Sequence, residues 1–162
     1  MKRVLLSLLF LGIFISAQSQ NINVDEARKL YPKSVESKEQ CNKLYEKLSE
    51  IDEKNQNLLL GYKGAVMAAK AKFEKEPPQK LKFFKEGKRK LDTAILNDLE
   101  NIELRFLRLS IQMHTPTALH YNDKIADDKE FINANIQNIK NEKLKKSIAD
   151  YMAEINKTES SH

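Results

Sequence analysis

The stretch Asn101–Met113, N-I-E-L-R-F-L-R-L-S-I-Q-M, decides the fold that we expect for this chain. If successive residues are placed about 100° apart, as in an α-helix, its apolar side chains fall on two opposite faces. One face holds Ile102, Phe106, Leu109 and Met113, and the other holds Leu104, Leu107 and Ile111. A surface helix needs only one apolar stripe. We therefore predict that this helix packs on both sides and forms the central layer of an all-α protein.

Arg105, Arg108 and Gln112 form one of the polar strips between these two faces. Arginines beside buried faces lose much of their water, so they need carboxylate partners or an anionic ligand. Internal pairing is one interpretation, and the sequence offers four carboxylates for it: Asp92, Asp98, Glu103 and Asp123. Recognition of an acidic group on a partner is the other interpretation.

The first 19 residues have the pattern of a secretory signal peptide. A basic start, an apolar run of 12 residues and a small-x-small cleavage site are formed by Lys2 and Arg3, Val4–Ile15, and Ala17–Ser19. The run is shorter than the roughly 20 apolar residues that span a bilayer. We predict cleavage near Ser19 and a periplasmic or secreted protein, in which residues 20–157 form one domain and residues 158–162 a disordered tail.

Charge and cysteine content narrow the classes of function. The formal net charge of the 162-residue chain is +5, and removal of residues 1–19 lowers it to +3. This mild excess is not the basic surface of a nucleic-acid binder, so we expect no nucleic-acid partner. Cys41 is the only cysteine, which excludes an intramolecular disulfide. Its place on an apolar helical stripe predicts a small buried side chain.

Helical periodicity continues along the rest of the chain, and no window alternates with period two, so we predict no sheet. A Ser37–Gln40 capping box opens one helix, Pro32 ends the helix before it, and Asp127 and Asp128 begin another. The expected helices are 21–31, 38–52, 56–74, 79–97, 101–114, one after residue 127, and one lined by Leu144, Ile148, Tyr151, Met152 and Ile155.

Small residues gather on one arc of the helix predicted at 56–74, namely Gly61, Gly64, Ala65, Ala68 and Ala71. Each interior glycine costs a helix about 1 kcal/mol relative to alanine. Close approach of a neighbouring helix is one explanation, and a ligand groove lined by the glycines is the other. Lys63 and Lys70 in the same helix argue against a transmembrane segment in the mature chain.

An internal repeat relates two turns of the chain. Asp52-x-x-Asn55 and Asp98-x-x-Asn101 lie 46 residues apart, and each joins an amphipathic helix to a more fully apolar one. The junction Ala94–Arg105 resembles the junction between tetratricopeptide repeats, although Leu99 stands where that family has proline. The resemblance implies stacked antiparallel helical hairpins, as a tetratricopeptide-like array or an irregular helical bundle.

The chain is also similar to a group of small exported helical proteins of Bacteroidota. These proteins carry G-Y-K-G-A and E-L-R-x-L-R-x-S-I-Q segments, which here are Gly61–Ala65 and Glu103–Gln112. The similarity implies export and implies no particular activity.

Three further features of the sequence are candidate sites. The group His114, His120, Asp123, Asp127 and Asp128 matches no metal-binding spacing, so we predict no metal and no cofactor. The basic run 80–90 is either a solvated helix face or a contact for acidic lipid headgroups or an acidic partner. The loop 115–122 is either a connector that covers the core edge or a functional loop.

No serine, cysteine or glycine-rich loop stands in a catalytic context, so we predict that the protein is not an enzyme. We expect an exported protein–protein interaction module that binds a protein of the cell envelope in a groove between hairpins. The predicted partner-binding residues are Lys85, Arg89, Arg105, Arg108, Gln112, His120 and Tyr121. The alternative is a periplasmic carrier of a small molecule or lipid, with a cavity against the small-residue arc.

Overall fold

The computed structural model describes residues 22–160, so the predicted signal peptide lies outside the described residues. Within that range the chain forms seven α-helices, three short 3-10 turns and no strand, which confirms the all-α prediction. The helices are α1 Val24–Ser34, α2 Lys38–Ser49, α3 Asn57–Lys70, α4 Pro77–Asn97, α5 Ile102–Gln112, α6 Ile125–Asn135 and α7 Glu142–Glu159. The tetratricopeptide-like arrangement of these helices stays a prediction.

Helix α5 packs on both sides, as its sequence predicts. Leu104, Leu107 and Ile111 lie in one apolar cluster with residues of α1–α4, which we call the amino-terminal core. Leu109 lies in a second cluster with Ile132, Ile148, Met152 and Ile155, which we call the carboxyl-terminal core. Ile102, Phe106 and Met113 pack against this second cluster. The two faces of one short helix therefore belong to two different cores.

Helices α3 and α4 approach each other closely at two glycines. A Cβ atom on Gly64 would lie 2.5 Å from the backbone nitrogen of Leu91 and 2.7 Å from the carbonyl oxygen of Gly87. Both distances are shorter than carbon atoms tolerate, so the contact needs glycine. A Cβ atom on Gly61 would meet the side chain of Leu104. The close-approach explanation of the glycines is confirmed, and the ligand-groove explanation is wrong for Gly61 and Gly64.

The prediction that Pro32 ends α1 is wrong, because the helix continues to Ser34. A proline inside a helix removes one backbone donor, but the next turn keeps its own bonds. The Tyr31 carbonyl accepts from the Val35 amide at 3.2 Å and from the Ser34 hydroxyl at 2.7 Å. Tyr31 and Ser34 are both buried, so packing holds this last turn in place.

Two other helix starts differ from the sequence prediction. Helix α4 begins at Pro77 rather than Gln79, since proline suits the first positions of a helix. Helix α6 begins at Ile125, so Asp127 and Asp128 lie inside its first turn rather than before it. The cap expected for α2 is present, because the Ser37 hydroxyl accepts from the Gln40 amide. Helix α7 reaches Glu159 and so includes the first residues of the predicted tail.

The two repeated turns share the same hydrogen bonds. Asn55 donates from Nδ2 to Asp52 Oδ2 at 2.6 Å, and Asn101 donates in the same way to Asp98 at 2.9 Å. In both turns the asparagine amide also donates to the aspartate carbonyl at 3.2 Å. The repeat seen in sequence is therefore a repeat of local structure at these turns.

Among the described helices, no apolar window is long enough to cross a membrane.

Candidate functional site

A groove of about 1990 Å³ lies between the two halves of the fold. Helix α1, the end of α3 and the start of α4 form one side, α7 forms the other, and α5 lies between them. The apolar surface of the groove comes from alanine, phenylalanine and larger aliphatic side chains, most of them in these helices: Ala68, Ala69, Leu81, Phe84, Phe106, Ile111, Leu119 and Leu144. Leu81 and Leu119 are exposed, which is uncommon for large apolar side chains among the described residues.

The polar centre behind this groove is the buried carboxylate of Glu103. Arg28 donates to it from Nε at 2.8 Å and from Nη2 at 2.6 Å, and the Tyr62 hydroxyl donates at 2.6 Å. Burial and the neighbouring Glu103 charge raise the pKa of Tyr62 well above its ordinary value. Arg28 also pairs with Asp25 at the surface. The one guanidinium group on this side of the groove is therefore neutralised by the chain itself.

Three hydroxyl groups lie on the groove near α5. Ser110 donates its proton to the Leu107 carbonyl at 2.8 Å, so Tyr31 must donate to the Ser110 oxygen, 2.9 Å away. The ring of Tyr151 packs edge-on against Phe106, with the centroids 5.4 Å apart. The Tyr151 hydroxyl is buried and has no hydrogen-bond partner among the described residues. Burial raises the pKa of Tyr151 to about 12, so its hydroxyl remains protonated at neutral pH.

The two sides of the groove carry opposite excess charge. Apart from Arg28, which Glu103 neutralises, the first side carries three basic groups, Lys29, Lys72 and Lys80, and two acidic groups, Asp25 and Glu36. Helix α7 contributes one basic and three acidic groups, namely Lys143, Glu142, Asp150 and Glu154. An occupant of the groove therefore meets a basic side and an acidic side.

Arg105 and Arg108, two of the predicted partner-binding residues, contact a buried carboxylate of the chain. Arg108 donates to both oxygens of Asp128, at 2.7 Å and 2.6 Å, and Arg105 donates to one of them at 3.2 Å. Burial works to lower the pKa of Arg108, but the hydrogen bond and charge of Asp128 outweigh it and raise the pKa. Internal pairing is therefore observed. Asp92, one of the four carboxylates that the sequence offers, also lies 4.0 Å from Arg108. Asp128 is not among those four, because its position favours a role at the start of α6.

Of the other predicted residues in that polar strip and loop, Gln112 and Tyr121 are held inside the fold, whereas His120 is not. Gln112 is buried, and neither atom of its side-chain amide has a partner among the described residues. Tyr121 is buried, packs edge-on against Phe84, and donates its hydroxyl to Asp92 at 2.9 Å. His120 is exposed and adopts a left-handed backbone conformation with φ of 48°. The connector interpretation of the loop fits Tyr121.

Lys85 and Arg89 lie apart from these residues, on the side of α4 that faces solvent. We call this side the α4 outer face and define it by Pro78, Leu81, Lys82, Lys85, Arg89 and Leu96, which are all exposed. Arg108 and Tyr121 share the carboxylate of Asp92, and Arg105 and Arg108 share that of Asp128. Because Lys85 and Arg89 lie elsewhere, the seven predicted partner-binding residues do not form one surface, and none of them lines the groove. Their role in binding stays a prediction.

Residues 22–160 contain no group of three or more histidine, cysteine, aspartate or glutamate side chains placed to hold a metal. Cys41 is buried, as its stripe predicts, and burial raises the pKa of its thiol to about 11. The thiolate, which is the reactive form, is therefore scarce at neutral pH.

The sequence gives little sign of the groove, because its lining comes from helices far apart in the chain. Phe106 and Ile111 were expected in the two apolar faces of α5, and Ala68 and Ala71 in the small-residue arc. Only the packing of α1 and α7 around these four residues shows that the side-chain surfaces stay partly uncovered. The chain matches no protein-family model, and no curated protein or solved structure is significantly similar to it.

Proposed function

We propose that this protein is a non-enzymatic interaction module whose groove binds the apolar face of a helical segment of another protein. The groove of about 1990 Å³ is the observation that carries the proposal. Sites for small molecules usually measure about 300–1,000 Å³. A groove roughly twice that size suits a helix about 10–12 Å wide with its side chains.

The chemistry of the groove suits this mode of recognition. Helix-in-groove binding places apolar side chains at helical spacing into an apolar cleft. Ala68 and Ala69 leave space for such side chains, while the half-buried Phe106 provides an aromatic surface. Aromatic surfaces of this kind supply much of the affinity at protein interfaces.

The charged sides of the groove would orient the bound helix. Lys29 and Lys80 on the basic side have no carboxylate partner within the described chain, and the same holds for Glu142 and Glu154 on α7. Opposite charges on the two sides favour a helix with an acidic flank towards α1 and α4 and a basic flank towards α7. The signal-peptide pattern of residues 1–19 supports a site of action outside the cytoplasm.

A matched pair of variants tests the proposal. Ser147 is exposed on α7 and lines the groove, so Ser147→Trp fills part of it without touching either core. Ala149 is also exposed on α7 but does not line the groove, so Ala149→Trp adds the same side chain elsewhere. Helical peptides are selected on the natural protein from a displayed library and then titrated against both variants.

We expect Ser147→Trp to weaken binding of the selected peptides at least about ten-fold, because a buried side chain is worth more than 1.4 kcal/mol. Ala149→Trp should leave their affinity unchanged. If the selected peptides bind Ser147→Trp as well as the natural protein, the groove is not the binding site.

A carrier of an apolar molecule is the second candidate, and the Tyr151 hydroxyl favours it. This buried group has no partner among residues 22–160 and lies beside apolar surface, so it suits a ligand with one polar group. The cavity expected against the small-residue arc is limited to Ala68 and Ala71, because the Gly61 and Gly64 surface is filled. Native mass spectrometry of the purified protein separates the two candidates. A bound mass lost in Ser147→Trp but kept in Ala149→Trp supports the carrier.

A further inference from the structure

Positive charge is concentrated in one short part of the chain. Residues 70–90 contain nine lysine or arginine residues and three glutamates. The remaining described residues contain 17 basic and 20 acidic side chains, so the rest of the fold is slightly acidic. The charge asymmetry therefore belongs to the end of α3 and the first half of α4, and the mild net charge of the whole chain hides it.

Helix α4 sorts its cations into paired and unpaired groups. Lys88 pairs with Asp92 at 2.8 Å, and Lys90 pairs with Glu53 at 2.6 Å. Lys82, Lys85 and Arg89 are exposed and have no carboxylate partner within residues 22–160. The paired cations lie on the flanks of the helix, and three of the unpaired ones lie on the α4 outer face, whereas unpaired Lys80 lines the groove.

Apolar side chains lie at both ends of the same face. Leu81 is 42% exposed near the start of α4, and Leu96 is 73% exposed near its end. At 1.5 Å per residue these two leucines are about 22 Å apart along the helix. Leu99, in the turn after α4, is 51% exposed. Three of the four large apolar side chains exposed in the described chain therefore lie at the ends of one basic strip.

This pattern suits an extended flat surface better than a single acidic protein segment. Lysine carries a compact charge on a flexible stem, which serves a diffuse layer of phosphates and lacks the fork geometry of arginine. Exposed leucines at two separated points suit insertion between headgroups at both ends of a helix that lies in the interface. A carboxylate on a folded protein would engage one or two of these cations and would leave the distant leucines uncovered.

We propose that the α4 outer face docks the protein on an anionic phospholipid bilayer. Lys82, Lys85 and Arg89 contact headgroup phosphates. Leu96 and Leu99 enter the interface at the end of the helix, and Leu81 enters it at the start. Each basic residue near an anionic leaflet contributes about 1 kcal/mol to binding. The three cations alone therefore bind the membrane weakly, and docking also needs the inserted leucines. The docking surface shares only Leu81 with the groove, because Lys82, Lys85, Arg89, Leu96 and Leu99 lie outside the groove lining.

Vesicle sedimentation tests this inference. The purified chain is mixed with vesicles of phosphatidylcholine with about one-third phosphatidylglycerol, and with phosphatidylcholine alone. Neutral vesicles measure the background, which includes any contribution of the apolar run Val4–Ile15. We expect binding above that background only to the anionic vesicles. It should disappear in about 1 M salt, where the Debye length is about 3 Å.

Two triple variants with equal charge change locate the contact. Lys82→Glu/Lys85→Glu/Arg89→Glu reverses the outer face, and Lys38→Glu/Lys54→Glu/Lys143→Glu reverses three exposed, unpaired lysines elsewhere. We expect the first to lower partitioning at least about 100-fold and the second less than about five-fold. Leu96→Ser/Leu99→Ser should lower it roughly ten-fold through lost apolar burial.

Several results would overturn the inference. Equal losses in both triple variants would show a response to net charge alone. Equal binding to neutral and anionic vesicles would exclude headgroup recognition. Binding to poly-glutamate but not to anionic vesicles, lost in the outer-face variant, would identify an acidic protein as the partner instead. Lys82→Gln/Lys85→Gln/Arg89→Gln repeats the test with neutral side chains if charge reversal lowers the melting temperature.

Discussion

The amino-terminal and carboxyl-terminal cores differ in how many elements close each of them. The amino-terminal core joins buried residues of five helices, and α3 and α4 meet there at backbone contact through Gly64 and Gly87. The carboxyl-terminal core has five buried residues, of which α7 contributes Ile148, Met152 and Ile155, and the partly buried Leu144 and Tyr151 of α7 pack against it. Stability should therefore be unequal across the molecule, because local stability follows the amount of buried apolar contact.

The groove lies along the smaller core. Residues 144–155 of α7 pack on that core, and another side of nearly the same stretch of helix forms one side of the groove. The opposite side belongs to the better-packed half of the molecule. Because the smaller core holds α7, we expect the side of the groove that α7 forms to move more readily than the opposite side.

The largest expected effects come from deleting one leucine in each core. Leu104 and Leu109 are both fully buried and lie on opposite faces of α5. We expect Leu104→Ala to lower the free energy of unfolding by about 4 kcal/mol, and Leu109→Ala by about 2–3 kcal/mol, because the thinner core relaxes more readily around the cavity. Chemical denaturation measures both values.

Amide hydrogen exchange shows which helices each of these two substitutions destabilises. Leu109→Ala should speed amide exchange in α6 and α7 only, while Leu104→Ala should speed it throughout the described helices. If both substitutions speed exchange everywhere to the same extent, the two cores unfold as one unit and do not differ in local stability.

The next effect concerns the ionic contact between the cores. Arg108→Ala leaves the fully buried Asp128 with only the longer bond from Arg105. We expect a loss of about 3 kcal/mol, because a buried charge without its partner is costly. Arg108→Met/Asp128→Leu should recover most of this stability. A stable Arg108→Ala variant that loses partner binding would instead favour the acid-reading role predicted for this arginine.

A gain of stability is expected at the next position of the same strip. The Gln112 amide is buried and unpartnered within the described chain. Gln112→Met keeps the length of the side chain and removes both unpaired polar atoms, so we expect the free energy of unfolding to rise by about 1–2 kcal/mol. Thermal melting checks it. A lower melting temperature would mean that a bound water or another group satisfies the amide in solution.

The smallest effect is a pH dependence at the edge of the amino-terminal core. Hydrogen bonds from Lys63 and then from Lys90 hold the pKa of Glu53 below its ordinary value of 4.5. A lowered pKa in the folded state means that the stabilisation is present above pH 4.5 and is lost as the pH falls towards the folded-state pKa. Glu53→Gln should therefore be less stable than the natural protein at pH 7, and the difference should shrink in acid. Denaturation curves from pH 3 to pH 7 measure it, and a constant difference would contradict the linkage.

The elements that sequence predicts well are those with local signals. The two faces of α5, the cap at Ser37 and the repeated Asp–Asn turns depend on residues a few positions apart, so spacing alone indicates them. The glycine contact in α3 was also predictable, because two glycines in a helix need a compensating close packing. The end of α1 is predicted wrongly from Pro32, because buried neighbours hold the helical turn that the proline would otherwise end.

The candidate sites depend on contacts that spacing does not determine. Asp128 is 20 residues from Arg108 and reaches it only because α6 packs across α5. The groove joins α1 to α7, whose lining residues are more than 100 positions apart in sequence. The polar strip of α5 was therefore identifiable as needing carboxylates, but the identity of the carboxylate and the open surface beside α5 were not.

Because α5 belongs to both cores, its two apolar faces become buried at different times as the chain is synthesised. The amino-terminal core has all of its helices once Gln112 has emerged, whereas α7 ends 47 residues later at Glu159. At about 5–20 residues per second this interval lasts roughly 2–9 s. During that time Ile102, Phe106 and Leu109 form an apolar strip on the growing chain, open to chaperones. The last third of the protein then covers this strip as an intramolecular chaperone would.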